Sequence, residues 1–234
     1  MASSTTGTAS ADAQAGILRS RPQSIEKPKG AVHGTQPLGL GDGRDGLVLV
    51  PRQLDLAAPA PLILALHGAG GIAPQVIDLL DEQAETHGII VLAPESRAST
   101  WDVIRGGYGP DVAFIDRALQ KVFQQYPIDP DRLAVAGFSD GASYALSLGL
   151  TNGTLFNDVL AFSPGFMAPT RQADTPRIFV SHGVHDEVLP IDPCSRRLVP
   201  LLKRAGYPVD YREFDGGHAV PAEMVELAVA RFLG

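Results

Sequence analysis

Ser139 stands at the centre of Gly137-Phe138-Ser139-Asp140-Gly141, a G-x-S-x-G pentapeptide that directly follows a short apolar segment. This pattern fits a sharp strand-to-helix bend, which lifts a hydroxyl above a sheet edge and aims backbone N–H groups at the same point. Gly137 and Gly141 leave room for the close strand–helix approach that such a bend demands. A serine hydroxyl alone is a weak nucleophile and needs a base and an orienting acid. Downstream, Arg177 to Gly183 has the character of a buried strand running into a loop that carries Asp186. Val209 to Phe214 alternates like a strand and leads into Asp215-Gly216-Gly217-His218. The order Ser139, Asp186, His218 puts each candidate just past the C-terminal end of an expected strand, where open α/β sheets bind ligands. Asp192 is the competing acid, but its place before Pro193 suits it better to capping the next helix.

The chemistry implied is acyl transfer through an acyl-enzyme, and it requires an oxyanion hole. Pro61 to Leu66 is a near-continuous apolar run, typical of a central parallel strand. It ends in His67-Gly68-Ala69-Gly70-Gly71, a loop with little side-chain bulk. The Ala69 N–H is assigned as the first oxyanion donor and the Asp140 N–H as the second. Gly70, Trp101, Tyr108, Phe138, Phe166, Met167, Val188 and Leu189 are candidate walls of a substrate pocket, with the loop Ser163 to Met167 the leading specificity element. His67 is expected to be structural. His182, His185 and Asp186 lack the spacing of a helical H-E-x-x-H site, so neither a metal nor another cofactor is expected. Gly41-Asp42-Gly43-Arg44-Asp45-Gly46 matches G-x-G-x-x-G but precedes a strand, and so is expected to be a turn. Asn152-Gly153-Thr154 matches a glycosylation sequon, and its expected task is to end the helix that follows Ser139.

These side chains need a scaffold. Thr35–Leu40 and Gly46–Val50 flank the Asp42-Gly43 turn signal and predict an opening hairpin. Strands are then expected at Leu62–Leu66, Ile89–Ala93, Leu133–Ala136, Val159–Phe162, Ile178–Ser181 and Val209–Phe214. Helices are expected at Pro74–His87, Asp111–Tyr126, Ala142–Leu150, Ser195–Ala205 and Pro221–Phe232. In the second of these, Pro110 sits at the start, Asp111 lies near the positive end, and Val112, Ile115, Leu119 and Val122 recur at helical spacing. The alternation predicts an α/β fold with a mostly parallel central sheet and helices on both faces. Between Phe162 and Ile178 there is room only for a loop, so no cap domain is expected and the site should be open.

The 234 residues suffice for one domain with a full core, expected over 31–234. Residues 1–30 are poor in large apolar groups and are expected to form a flexible or partly ordered extension. The formal net charge of −7, without any lysine or arginine run, argues against nucleic acid and anionic membranes as partners. No segment approaches the ~20 apolar residues of a membrane span, and no secretory signal is recognisable, so a cytoplasmic location is expected. The single cysteine, Cys194, excludes an intrachain disulfide. Composition leaves the oligomeric state open between monomer and dimer.

From about Leu47 onward the chain resembles the α/β-hydrolase superfamily, within it the phospholipase/carboxylesterase branch. The resemblance rests on His67-Gly68-Ala69-Gly70-Gly71, Gly137-Phe138-Ser139-Asp140-Gly141, His182-Gly183-x-x-Asp186-x-x-x-Pro190 and Gly217-His218. It implies Ser139 as nucleophile, Asp186 as acid, His218 as base, and Ala69 with Asp140 as oxyanion donors. Acyl-protein thioesterases of the branch usually have glutamine after the nucleophile and Leu-Gly-Asp after the first His-Gly, where this chain has Asp140 and Ala69-Gly70-Gly71. Dienelactone hydrolases, close relatives, use cysteine in place of Ser139. A small bacterial carboxylesterase is the nearest fit, with an acyl thioesterase or lysophospholipase as the alternative and a non-catalytic binding protein further behind.

Overall fold

The structure, a computed structural model, describes residues 5–25, 31–41 and 43–234. Two strands open the sheet, β1 (Gly34–Pro37) and β2 (Gly46–Val50). They are followed by β3 (Ala60–Leu66), β4 (Ile90–Pro94), β5 (Ile128–Phe138), β6 (Asp158–Phe162), β7 (Arg177–Gly183) and β8 (Val209–Phe214). All eight join one sheet in the order β1-β2-β4-β3-β5-β6-β7-β8. β1 and β2 pair antiparallel, as do β2 and β4, and every other pair is parallel. The opening hairpin thus forms, with Thr35 opposite Leu49 and Gln36 opposite Val48. Of its expected turn, Asp42 lies outside the described residues.

Among the described residues six α-helices accompany the sheet: α1 (Thr5–Gln14), α2 (Ala73–His87), α3 (Pro110–Gln125), α4 (Asp140–Thr151), α5 (Ser195–Arg204) and α6 (Ala222–Leu233). The period-2 alternation of β3 divides the core. Leu62, Leu64 and Leu66 pack with α3, α4 and α5, whereas Ile63 and Ala65 pack with α2 and α6. Both sides are buried, which is why the strand reads as continuously apolar. Pro110 opens α3, and Val112, Ile115, Leu119 and Val122 all face the core. Asp111 lies in the first turn of α3, as expected, and is buried there. Its Oδ1 accepts the Arg97 N–H and its Oδ2 the Asp102 N–H, and burial pushes its carboxyl up to about 6. From Ser163 to Pro176 there is neither helix nor strand. Among the described residues no helix is long and apolar enough to cross a membrane.

Residues 10–25 lie against α3 and the end of α4. Leu18 is wholly buried, and Asn152 clamps the chain beside it. The Asn152 amide donates to the Gly16 and Leu148 carbonyls at 2.8 and 2.9 Å, while its Oδ1 accepts the Leu18 N–H at 2.9 Å. Asp116 Oδ1 accepts the N–H groups of Arg19 and Ser20, both at 2.8 Å. Asn152 therefore ends the helix, as expected, and also holds the N-terminal arm. Truncating Leu18 to alanine is expected to cost about 3 kcal/mol. In a protein of this size that lowers Tm by roughly 6–12 °C, readable by thermal unfolding. An unchanged Tm would mean the arm adds nothing to the fold.

Candidate active site

Ser139 sits between the end of β5 and the start of α4 with φ 58° and ψ −118°, a conformation that L-residues rarely adopt. The surroundings force it. A Cβ on Gly137 would run into the Gly141 carbonyl and lie 2.8 Å from the Ala142 nitrogen. One on Gly141 would overlap the Leu66 carbonyl and lie 2.6 Å from that of His67. Only glycines let α4 start this close to β3 and β5, and the tight bend lifts Ser139 over the sheet edge. The helix accordingly begins at Asp140, two residues before its expected start.

Asp186 and His218 reach the same edge from β7 and β8. A Cβ on Gly183 would strike the Gly216 and Gly217 carbonyls, so the two loops touch through bare backbone. The Val184 N–H to Phe214 and His185 N–H to Gly216 bonds, 3.0 and 2.9 Å, fasten them. His218 Nδ1 lies 2.6 Å from Asp186 Oδ2, and its Nε2 lies 2.9 Å from Ser139 Oγ. The carboxylate only accepts, so Nδ1 carries the proton and Nε2 is left to accept from the serine hydroxyl. Burial works against the Asp186 charge. The His218 bond and the Leu189 and Val188 N–H groups outweigh it, leaving the carboxyl below its usual range. Asp192, the rival acid, lies on the surface and pairs with Arg196. It does not cap α5 either, whose cap position is Cys194 without a side-chain bond.

The loop after β3 lies beside Ser139, and several groups fix it. His67 is wholly buried, which lowers its basicity. Its Nδ1–H donates to the Gly68 carbonyl at 2.7 Å, and its Nε2 accepts the Ser96 N–H at 3.0 Å. The Trp101 indole donates to the His67 carbonyl at 2.8 Å, and Arg44 Nη2 donates to that of Gly71 at 2.6 Å. The Gly70 N–H donates to the Ser99 carbonyl at 2.6 Å. Among the described residues, the Ala69 and Asp140 N–H groups meet no backbone or side-chain acceptor. Thr100 Oγ1 donates to Asp140 Oδ2 at 2.6 Å, steadying that side chain.

A cleft of about 410 Å³ opens beside this loop. Its walls are His67 to Gly71, Phe138, the α2 residues Gln75, Val76 and Leu79, and Val220. Phe138 also packs on His218, ring centroids 4.7 Å apart. Gly70 and Phe138 therefore line the cleft, whereas the other expected wall residues do not. Trp101 must be corrected: it is fully buried, stacked on Tyr144 and committed to His67. Tyr108 must be corrected as well, because its ring packs over Gly16 of the arm and its hydroxyl donates to the Ala168 carbonyl. Met167 packs against the core, Leu189 sits over Gly165, and Val188 is 65% exposed. With Phe166 these residues lie outside the cleft. Sequence reasoning missed the α2 wall, although a helix directly after a glycine-rich strand-end loop was the available signal. It missed Arg44 too, which lies in the G-x-G-x-x-G turn and acts as a brace.

The chain is similar to the probable feruloyl esterase C of Aspergillus niger, 27% identical over 183 residues that cover 69% of this chain and 66% of that protein. This chain thus spans just under two thirds of that relative's length. It is 34% identical over 114 residues to acyl-protein thioesterase 1 of Gibberella zeae, covering 43% of this chain and 47% of that one. The solved structure of esterase PE8 superposes with a TM-score of 0.66 at 24% identity, covering 80% of this chain and 97% of the other, a likeness of fold. Residues 113–233 match the phospholipase/carboxylesterase family, and with its α/β-hydrolase fold this chain belongs to that family.

Proposed function

We propose that the protein is a serine carboxylesterase that hydrolyses small to medium carboxylic esters through an acyl-enzyme. The observation carrying this reading is the hydrogen-bonded run Ser139 Oγ, His218 Nε2, His218 Nδ1, Asp186 Oδ2 on a bent strand-to-helix junction. In this mechanism His218 takes the hydroxyl proton as Ser139 Oγ attacks the ester carbonyl carbon. Asp186 holds the imidazole in the required tautomer and stabilises its cation. The oxyanion is received by the N–H groups of Ala69 and Asp140. His218 then gives its proton to the leaving alcohol, and water repeats the sequence to release the acid. The apolar faces of Phe138, Val76, Leu79 and Val220 suit a flat aromatic or short aliphatic group. The similarity to proteins named feruloyl esterase supports an aromatic acid ester within that range.

One observation favours a second reading, hydrolysis of acyl thioesters: the match to an acyl-protein thioesterase. The Ala69-Gly70-Gly71 loop counts against it. A fluorophosphonate probe is expected to label the protein and not its Ser139→Ala variant; equal labelling refutes the assignment. Turnover should be greatest with short p-nitrophenyl esters and methyl esters of aromatic acids. A steep preference for palmitoyl-CoA or long-chain lysolipids would select the second reading.

A further inference from the structure

Asp186 has a second histidine on it. His182, near the end of β7, is wholly buried, and its Nε2 lies 2.8 Å from the Leu189 carbonyl and 3.2 Å from Asp186 Oδ2. Its Nδ1 lies 2.7 Å from Oγ of Ser195, itself fully buried at the start of α5. A carbonyl oxygen only accepts, so the proton sits on Nε2 and the Ser195 hydroxyl donates to Nδ1. Burial disfavours the imidazolium, so the ring is a neutral donor with its tautomer fixed from behind.

Both oxygens of Asp186 are engaged. Oδ1 takes the Val188 and Leu189 N–H groups at 2.9 and 2.8 Å, and Oδ2 takes His218 Nδ1–H at 2.6 Å, with His182 Nε2–H, which donates to the Leu189 carbonyl, 3.2 Å from the same oxygen. Resting on the triad reading above, we propose that His182, locked by Ser195, is a positioning residue that holds Asp186 Oδ2 in line with His218 and moderates its pull on the His218 proton. A donor that shares the carboxylate's negative charge weakens its hold on a facing imidazolium. Removing that donor leaves His218 the sole side chain on Oδ2, so His218 should bind its proton more tightly.

The other ionisable groups around this network leave the readout clean. From the start of α5 come Cys194, whose thiol is raised by burial and by Asp186, and Arg197 behind it. From β8 comes Glu213, held low by its bonds to Arg196. Cys194 stays neutral and Glu213 stays charged across the range where an imidazole titrates. His185 pairs with Asp215 in solvent, outside the network.

The test is the pH dependence of kcat/KM for a p-nitrophenyl ester, with circular dichroism and Tm measured alongside. In His182→Leu, kcat should fall about 10- to 100-fold with KM nearly unchanged, by analogy with other supporting partners of reactive groups. Its acid limb should move up by about one pH unit. His182→Gln restores an N–H donor and should recover most of the rate and the wild-type limb. Ser195→Ala leaves the imidazole but unlocks its tautomer, and should give a smaller upward shift; it also covers the case in which His182→Leu does not fold. An unmoved limb in both His182→Leu and Ser195→Ala, or in Ser195→Ala alone if the leucine variant is unfolded, would overturn the proposal. Turnover surviving in Ser139→Ala would refute the triad reading itself, whereas a dead Ser139→Ala with an unmoved limb in this series sinks only the role of His182.

Discussion

Replacing His218 by alanine is expected to lower kcat/KM for an activated ester by about a million-fold while leaving the fold intact. The scale is that seen when the base of such a triad is removed, about 8 kcal/mol of transition-state stabilisation. The fold should survive because His218 is only partly buried and its loop is fastened through backbone bonds to the Asp186 loop. Asp186 keeps its bonds from the Val188 and Leu189 N–H groups, with His182 Nε2 3.2 Å away, so the variant does not strand a buried carboxylate. Asp186→Asn should cost about 10⁴-fold, since an amide offers Nδ1 a donor and favours the wrong tautomer. His218→Ala should keep about 10³-fold acceleration over water from the oxyanion N–H groups and binding, and Asp186→Asn correspondingly more. Steady-state kinetics with circular dichroism checks this; His218→Ala within tenfold of the parent would refute its assignment as base.

What could be read in advance depends on how local the cause is. The convergence of the three candidate site residues was legible because each follows a strand whose apolar run or alternation is a local property, and strand ends converge in a parallel sheet. Ser139 with its flanking glycines was legible for the same reason: the steric need that excludes a Cβ at 137 and 141 is written in the pentapeptide. Apart from Gly70 and Phe138, the walls of the cleft were not. Trp101 looks like a pocket aromatic in a loop, yet a partner far along the chain, the His67 carbonyl, claims its indole. Leu79 and Val76 look like ordinary core positions of an amphipathic helix, and only the place where α2 meets the strand-end loop turns that face into a wall. The partly ordered extension could be read, but not its anchor, because Asn152 lies 134 residues from Leu18 and reads locally as a helix stop. Strand β5 proved longer than its apolar core because its first half, Asp129 to Arg132, is exposed and polar.

The bend around Ser139 gives the largest expected effect on folding. Gly141→Ala places a methyl group against the Leu66 carbonyl and 2.6 Å from that of His67. Both belong to the backbone of a central strand and its end, so no side-chain rotation relieves the overlap. Overpacking a well-filled interior costs about 1–3 kcal/mol where side chains can yield, and here the cost should exceed about 3 kcal/mol. Tm should therefore fall by more than roughly 6 °C. The relief available is a shift of α4 away from β3, which carries Ser139 and the Asp140 N–H away from Ala69. Activity should thus fall with stability, and cooling should restore the fold without restoring the rate. Gly70→Ala is the informative control. Gly70, unlike Gly141, has a positive φ, 67°, and a Cβ there meets nothing within 4 Å, so only the conformational cost of about 1–2 kcal/mol applies. If Gly141→Ala proved no more damaging than Gly70→Ala, close approach would not be what shapes the bend, and the catalytic reading of Gly137 and Gly141 would lose its physical basis.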